Sequence, residues 1–461
     1  MGNLSGFDLV RGAVRPTRGG SVERKVPLPL PTPLREVAHL LRRAGFGGTR
    51  TQIAELAALD RTALVDHVLD LTSAPVDTAP ASVRNPSISG WDRYVDLCNW
   101  WYMRMATSPT PIIEKMTLFW HGHFTNNHFN TQNAQWTYDQ NALFRTHALG
   151  DLRILTQAMA VQPSMLSFLD NRSNVKGGAQ NNFARELMEL FTMGPGQYTE
   201  NDVIEVGRAW TGHTVNDTTL SYEFKPEWHD DEPKTIFGIT KNWNGPDVIS
   251  EIFASPRKRA ATARLVVMKL WSFFAYADAE DSIIRDLSAV FIMSGFNIAS
   301  VLRAMFLRDE FYGPYALRAL VRTPTEYIVA VLRGTGMSAD ELHAEWYAER
   351  MGQSLFNPPN VKGWGSGQYW LTTTAMGARA QLVERIDWTL AARNAHPLVN
   401  RYDLTPASLV DLAATIIDVD MTLDTRTALT EFVTQTRSGH NGWTEPHLLT
   451  LTLLAPEFHV S

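Results

Sequence analysis

The sequence predicts a mostly α-helical protein with a small inserted β-hairpin near residues 213–240. Three observations carry this. Apolar residues recur at helical spacing through most of the 461 residues, the period changes to alternation only around Leu220, Tyr222 and Phe224, and no repeat of 20–50 residues points to a solenoid. Hydrophobic residues make up 44% and charged residues 20% of the chain, enough for a large core and too little charge for global disorder.

Residues 1–33 are expected to form an extended arm, basic and Gly-rich and ending in PLPLPTPL, whose alternating prolines favour polyproline II. A single large helical domain is expected over 34–461, with 244–256 as the place where a sub-boundary would fall. Its first helix begins near Leu34 and stops at Gly45, and Ala54–Leu71 continues in helical style. The Ser/Pro/Ala-rich stretch 72–90 reads as a loop.

From Trp91 to Trp120 the pattern is helical, broken at SPTP (108–111), where Pro111 suits the first turn of a new helix. That helix places Met116, Phe119, Trp120 and His123 on one face. Further helices are expected over Ala142–Ala160 and in PSMLSFLD (163–170), with NRSNVKGGAQ as a loop between elements. Phe183, Leu187, Leu190 and Phe191 form the stripe of a helix ending at Gly194. Thr199 and Asp202 have capping-box spacing for the next, which Gly212 stops. Asn216-Asp217 is placed to turn the hairpin. Helical pattern resumes after Asn244-Gly245 and is interrupted by the loop FNPPNVKGWGSGQYW (356–370).

The bulk numbers exclude some functions. A net charge of −6 with mixed signs disfavours a general nucleic-acid binder, and no apolar run has the length of a membrane span. Phosphate loops, GxGxxG after a strand, GxSxG elbows and HExxH are absent, which argues against phosphoryl transfer, dinucleotide chemistry and zincin-type proteolysis. The single cysteine, Cys98, sits among Leu97, Trp100 and Trp101 and reads as a buried small side chain rather than a nucleophile. The first thirty residues hold no signal-peptide core, so the chain reads as cytoplasmic, or as exported if a leader has been removed. Fourteen tryptophans and 21 phenylalanines fit large helix contacts, or a groove whose rings stack on flat groups such as sugars.

Five segments have the residue types of a site. In WHGHFTNN (120–127), His121 and His123 share a face if the backbone is extended; on a continued helix they point about 200° apart and cannot share one ion. In QNNFARELMELFTMG (180–194), Asn182, Arg185, Glu186 and Glu189 lie opposite the apolar stripe, as a solvated face with one local ion pair or as a carboxylate pair offered to a site. WTGH (210–213) ends a helix at His213. EWHDDEPKTIFG (227–238) sets His229 and Asp230 in a loop, an acid/base or metal group or an ordinary acidic loop. PPNVKGWGSGQYW offers glycines for close backbone approach and Trp364 and Trp370 as a stacking wall.

Taken in order, HLLRRAGFGGT, PIIEKMTLFWHGHFTNN, RTHALGDLRILTQAMAVQPSMLSFLDN, NFARELMELFTMGPGQYTENDVIEVGRAWTGH, HDDEPKTIFG and LFNPPNVKGW resemble the bacterial DUF1800 family, a family of uncharacterised function. The resemblance runs from about residue 37 to the mid-380s or beyond. It implies that Trp120, His121, His123, Phe124, Asn182, Arg185, Glu186, Glu189, Thr211, Gly212, His229, Asp230, Gly363 and Trp364 are motif positions. It also implies export and a gene neighbour of sulfatase-like type. The family's usual Asn-Glu-Asn and Tyr are replaced here by Gln180-Asn181-Asn182 and Phe183, so if the missing glutamate is catalytic elsewhere in the family, this member is either altered or uses Glu186 instead.

Polar motif residues at loops and helix ends describe a site, and the expectation is a hydrolase for a polar, glycan-like substrate. Glu186 or Asp230 would be the general acid/base, with Glu189 beside Glu186. Trp120, Trp210 and Trp364 would stack, and Asn182, Arg185 and His213 would bind substrate. His121, His123 and His229 would bind a divalent ion or the substrate, so a metal cofactor is an open expectation. The alternative is a non-catalytic binding or assembly partner of a neighbouring sulfatase-like protein, in which the same residues form a buried polar network.

Overall fold

The structure, a computed structural model, describes residues 32–72, 78–393, 396–399, 401–438 and 444–461. It is mostly helical, with 22 α-helices among the described residues and two small antiparallel hairpins. The expected arm falls outside the described residues except at Thr32 and Pro33, which open the first helix, Thr32–Ala44.

Prolines and caps set the helix limits where the sequence places them. Pro111 opens the helix Pro111–His123 at its first turn. Thr199 and Asp202 form a reciprocal capping box for the helix Glu200–Ala209. Ala142–Ala160, expected as one helix, is two, Ala134–Thr146 and Leu152–Ala160, because Asp151 caps a fresh start and its neighbour Leu152 donates to Phe296 O.

The helix Pro111–His123 organises the molecule. The apolar core falls into two large clusters, one built mainly from residues 37–312 and the other mainly from 83–138 and 327–458, with a small third of Trp136, Leu166 and Val215. This helix serves both large clusters: Ile112, Met116, Phe119 and Trp120 enter the first and Leu118 the second. Each large apolar side chain so buried contributes roughly 1.5–3 kcal/mol before entropy is counted.

A helix buried on every side must also satisfy its charges. Glu114 accepts from Trp101 Nε1 (3.0 Å), Arg104 Nε (2.8 Å) and Arg145 Nε and Nη2 (2.8 and 3.0 Å), which ties it to the helices Gly90–Thr107 and Ala134–Thr146. Lys115 pairs with Glu326 on the helix Pro324–Thr335.

The β-structure is two hairpins rather than one. β1 (His213–Val215) pairs with β2 (Tyr222–Phe224), and β3 (Lys234–Ile236) with β4 (Ile239–Lys241). Asn216 turns the first as expected, its Oδ1 accepting from the backbone of Thr218 and Thr219. The second turns on Phe237-Gly238, both at positive φ (54° and 80°), and is held to the helix Glu200–Ala209 by carboxylates: Phe237 N donates to Asp202 (2.7 Å) and Thr235 N to Glu205 (2.9 Å). No described helix is long and apolar enough to cross a membrane.

Candidate functional site

The octet WHGHFTNN lies at the C-terminal end of the central helix, and the helix runs through His123. The two imidazoles therefore diverge, and each is committed elsewhere. His121 Nε2 accepts the backbone N–H of Phe356 (3.0 Å), which places its proton on Nδ1. His123 Nε2 donates to Phe191 O (3.0 Å), and its Nδ1 accepts from Lys269 Nζ (3.1 Å). Burial drives the pKa of His121 down to about 3 and holds that of His123 well below the usual value, with the Lys269 charge adding to the second effect. Both rings are neutral at physiological pH.

The His121 side holds the Pro/Gly/Trp loop. Thr125 Oγ1 donates to Val361 O (2.6 Å), Asn127 Nδ2 to Asn357 Oδ1 (2.7 Å) and Pro358 O (3.2 Å), and His128 N to Phe356 O (2.8 Å). Trp364 packs its ring 5.2 Å from that of His121. Gly363, at φ 80°, comes so close to Gly122 that an added Cβ would lie 2.9 Å from its carbonyl oxygen. Only glycine permits both the left-handed backbone and the approach.

The His123 side holds a π-helical turn. The helix Asn182–Glu186 continues as a π-turn over Leu187–Phe191, a rare geometry that frees carbonyls from their usual partners and recurs at functional sites. Four of its five carbonyls are met by donors from outside the turn. Thr192 Oγ1 donates to Leu187 O (2.6 Å), Gly194 N to Met188 O (3.0 Å), Lys269 Nζ to Leu190 O (2.8 Å) and His123 to Phe191 O. Lys269 is itself driven down to a pKa of about 8 by burial.

Glu186 sits at the junction of the α- and π-segments, half-buried. Among the described residues its carboxylate has no hydrogen-bond or ion-pair partner. Burial, then the Glu189 charge, push its pKa above the ordinary value, and Lys362 of the docked loop and Arg185 only partly offset them. Its neighbours are all engaged. Glu189 accepts from Tyr198 Oη (2.8 Å), Arg185 pairs with Glu200 (3.1 Å) rather than with Glu189, and Asn182 Nδ2 donates to Asp170 (2.9 Å).

Other expected site residues belong to the framework. Trp120 is fully buried with its Nε1 donated to Ala148 O (3.1 Å), so it cannot stack a substrate. Trp210 is fully buried as well, so close to Gly245 that an added Cβ would come within 2.4 Å of the indole. His213 is buried in β1, bonded through Nδ1 to Tyr222 Oη (2.9 Å) and driven to a pKa of about 4 by burial.

Asp230 is nearly buried and takes Arg208 through both oxygens (2.7 and 3.2 Å). Burial pulls its pKa up, but the Arg208 hydrogen bonds and the Glu232 backbone N–H outweigh that and hold it below the ordinary range. A carboxyl held this way favours its anionic form and is unsuited to donate a proton. His229 Nδ1 donates to Thr211 O (2.8 Å), with β1 and β2 beside it. It does not join His121 and His123: among the described residues no group of three or more His, Cys, Asp or Glu side chains is placed to hold a metal ion.

The sequence reading missed Lys269, which lies in an ordinary helix (Pro256–Phe274) with no motif around it, and the aromatic rings that face solvent. Two of these are Trp346 (45% exposed) and Trp388 (66% exposed). They flank an open groove of about 490 Å3 that Tyr347, Gln381, Glu384 and Arg385 also line.

Fold and site together define a mostly helical protein in which a buried histidine helix clamps a carboxylate-bearing π-turn on one side and a Gly/Trp loop on the other. The chain belongs to the family described as protein of unknown function DUF1800, whose model matches residues 39–460. No curated protein and no solved structure matches it.

Proposed function

We propose that the chain is a hydrolase acting on a polar, glycan-like substrate, with Glu186 as its proton donor and Glu189 as the second carboxylate. The observation that carries this reading is the state of Glu186. It is the one motif carboxylate that is half-buried and left without a partner among the described residues, while Asp230 and Glu189 are engaged by Arg208 and Tyr198. Fold stability gives no reason to keep an unpaired carboxylate in a desolvated place. A general acid is served by that environment, because burial raises the pKa and so favours the protonated form.

The glycan half of the reading rests on the groove between the helices Ala344–Arg350 and Thr373–Ala392. Exposed indoles beside planar polar side chains such as Gln381 and Glu384 suit a sugar, with its apolar face and hydroxyl rim. The segment joining these two helices carries Lys362 and Trp364, so one stretch of chain runs from the groove to the Glu186 surroundings.

The test is hydrolysis of a panel of poly- and oligosaccharides by the wild type and by Glu186→Gln. The reading expects a loss of about 10²–10⁴-fold in turnover with unchanged secondary structure. Hydrolysis that survives Glu186→Gln would overturn it.

A second reading, a non-catalytic assembly partner of a sulfatase-like protein, is favoured by the number of motif residues consumed in internal bonds, Asp230, Asn182, His121 and His123 among them. On that reading no panel member is cleaved, and Glu186→Gln alters capture of the partner instead.

A further inference from the structure

Away from the Glu186 region, the helices Thr32–Ala44, Pro111–His123 and Pro324–Thr335 meet the last residues of the chain around an accumulation of buried cations. Two are neutralised locally: Lys115 by Glu326, and Arg42 by Asp418 (3.3 Å) and Asp420 (3.1 Å). Three are not. Arg43, Arg322 and Arg379 are 2%, 5% and 0% exposed, and among the described residues none has a carboxylate within ion-pair distance.

Arg43 donates to Ala316 O (2.7 Å) and Ser461 Oγ (3.3 Å), and Arg379 to Arg322 O and His459 Nδ1 (both 2.7 Å). These are neutral acceptors. The Arg322 guanidinium has no hydrogen-bond partner among the described residues. It lies over the Phe458 ring at 4.4 Å, with Nη1 fully buried and unpartnered.

A buried guanidinium cannot escape its cost by losing a proton, since even the depressed value of about 10 at Arg322 leaves it charged at neutral pH. Its alternatives are a counter-charge or a heavy desolvation penalty. The space for a counter-charge is present. One cavity of about 10 Å3 is lined by Arg42, Phe46, Lys115, Arg322, Glu326 and Ser461, and a second of the same volume shares Arg42 and Ser461 with it. Each has room for a particle near the size of a water molecule, which favours a monatomic ion over phosphate, sulfate or an organic acid. A water would fill the space but would leave the charge uncompensated.

We propose that this cavity is a binding site for a small inorganic monoanion of chloride's class, with Arg322 as its principal ligand, while Arg42 and Lys115, each already paired with a carboxylate, line it. Binding to the folded chain alone stabilises it by mass action and fastens the C-terminal segment to the first and central helices.

The test is thermal unfolding of the full chain at fixed ionic strength, exchanging sodium gluconate for sodium chloride or bromide. The melting temperature is expected to rise saturably with either halide and to stay level in gluconate, and Arg322→Met is expected to remove the difference. Crystals of the wild type soaked in bromide supply a readout independent of how that variant folds, one anomalous peak beside the Arg322 guanidinium. Equal melting temperatures in chloride and gluconate, or a bromide-soaked crystal with no peak there, would overturn the proposal and leave a water in the cavity. Neither readout involves Glu186 or turnover, so this proposal and the hydrolase reading stand or fall separately.

Discussion

At the residue scale, the separation between framework and site rests on what each carboxylate touches. Asp230 and Glu186 are both motif acids, yet Arg208 grips one while the other is half-buried with no hydrogen-bond or ion-pair partner among the described residues. Asp230→Asn is therefore predicted to cost about 2 kcal/mol at neutral pH through its charge-assisted hydrogen bonds, with turnover per folded molecule unchanged. Because the folded pKa of Asp230 is depressed, its contribution is complete above the ordinary carboxylate pKa and fades as pH falls through the folded value. Urea unfolding at pH 7 and at pH 3 should show the gap between wild type and variant closing in acid; a gap of equal size at both would refute the ion-pair account.

Residue identity alone did not reveal this division. Histidine, tryptophan and aspartate in a motif read equally well as ligands or as framework. Trp120 and Trp210 become framework only once their burial is known.

At the element scale, the clamp has two separable halves. Lys269→Met removes the donor to Leu190 O and His123 Nδ1 and leaves two buried acceptors unmet, a loss of about 1–3 kcal/mol. It is also predicted to change the pH profile of turnover, since the π-turn that carries Glu189 past Glu186 loses a tether. A lowered melting temperature with an unmoved profile would make Lys269 a purely structural residue. His121→Ala, on the other half, leaves the Phe356 N–H without its acceptor. It should raise proteolytic cleavage within 356–364 while the π-turn stays intact.

Much of this level was legible. The capping box at Thr199, the proline start at Pro111 and the Gly/Trp loop follow from local chemistry and were read directly. The π-turn was not, because LMELF has an ordinary helical stripe. Its carbonyls are met by the distant Lys269 and His123, a tertiary pairing no local period encodes. The second hairpin was missed for a related reason: KTIFGITK is short, and Asp202 and Glu205 on a neighbouring helix hold it.

At the scale of the whole molecule, the mostly helical class was legible from period alone, whereas the two large core clusters and the central helix between them were not, since apolar stripes do not name their partners. One global property follows from burial. His39, His121, His123, His128, His213, His396 and His459 all have depressed pKa values, with desolvation as the first cause in each. Below about pH 6.5 the unfolded chain takes up protons that the folded chain refuses, so stability falls steeply towards pH 4. Proton uptake of several equivalents on unfolding at pH 5, measured by calorimetry in buffers of different ionisation enthalpy, checks this; uptake near zero would contradict it. Divergent histidines also predict that chelator treatment leaves turnover and melting temperature unchanged.

The most direct test of the central claim needs no substrate. It is the difference in unfolding free energy between Glu186→Gln and the wild type, followed from pH 3.5 to 8. The folded state raises the Glu186 pKa, so between the ordinary carboxylate value and the raised one the native chain holds the extra proton. Wild-type stability therefore drops as pH rises through that window, while glutamine has no charge to lose. The account predicts a variant equal to the wild type near pH 3.5 and more stable at pH 7–8, the sign of a carboxylate kept for chemistry at the expense of stability. A variant less stable at pH 7–8 would show that Glu186 is held by a favourable ion pair, and would contradict the account.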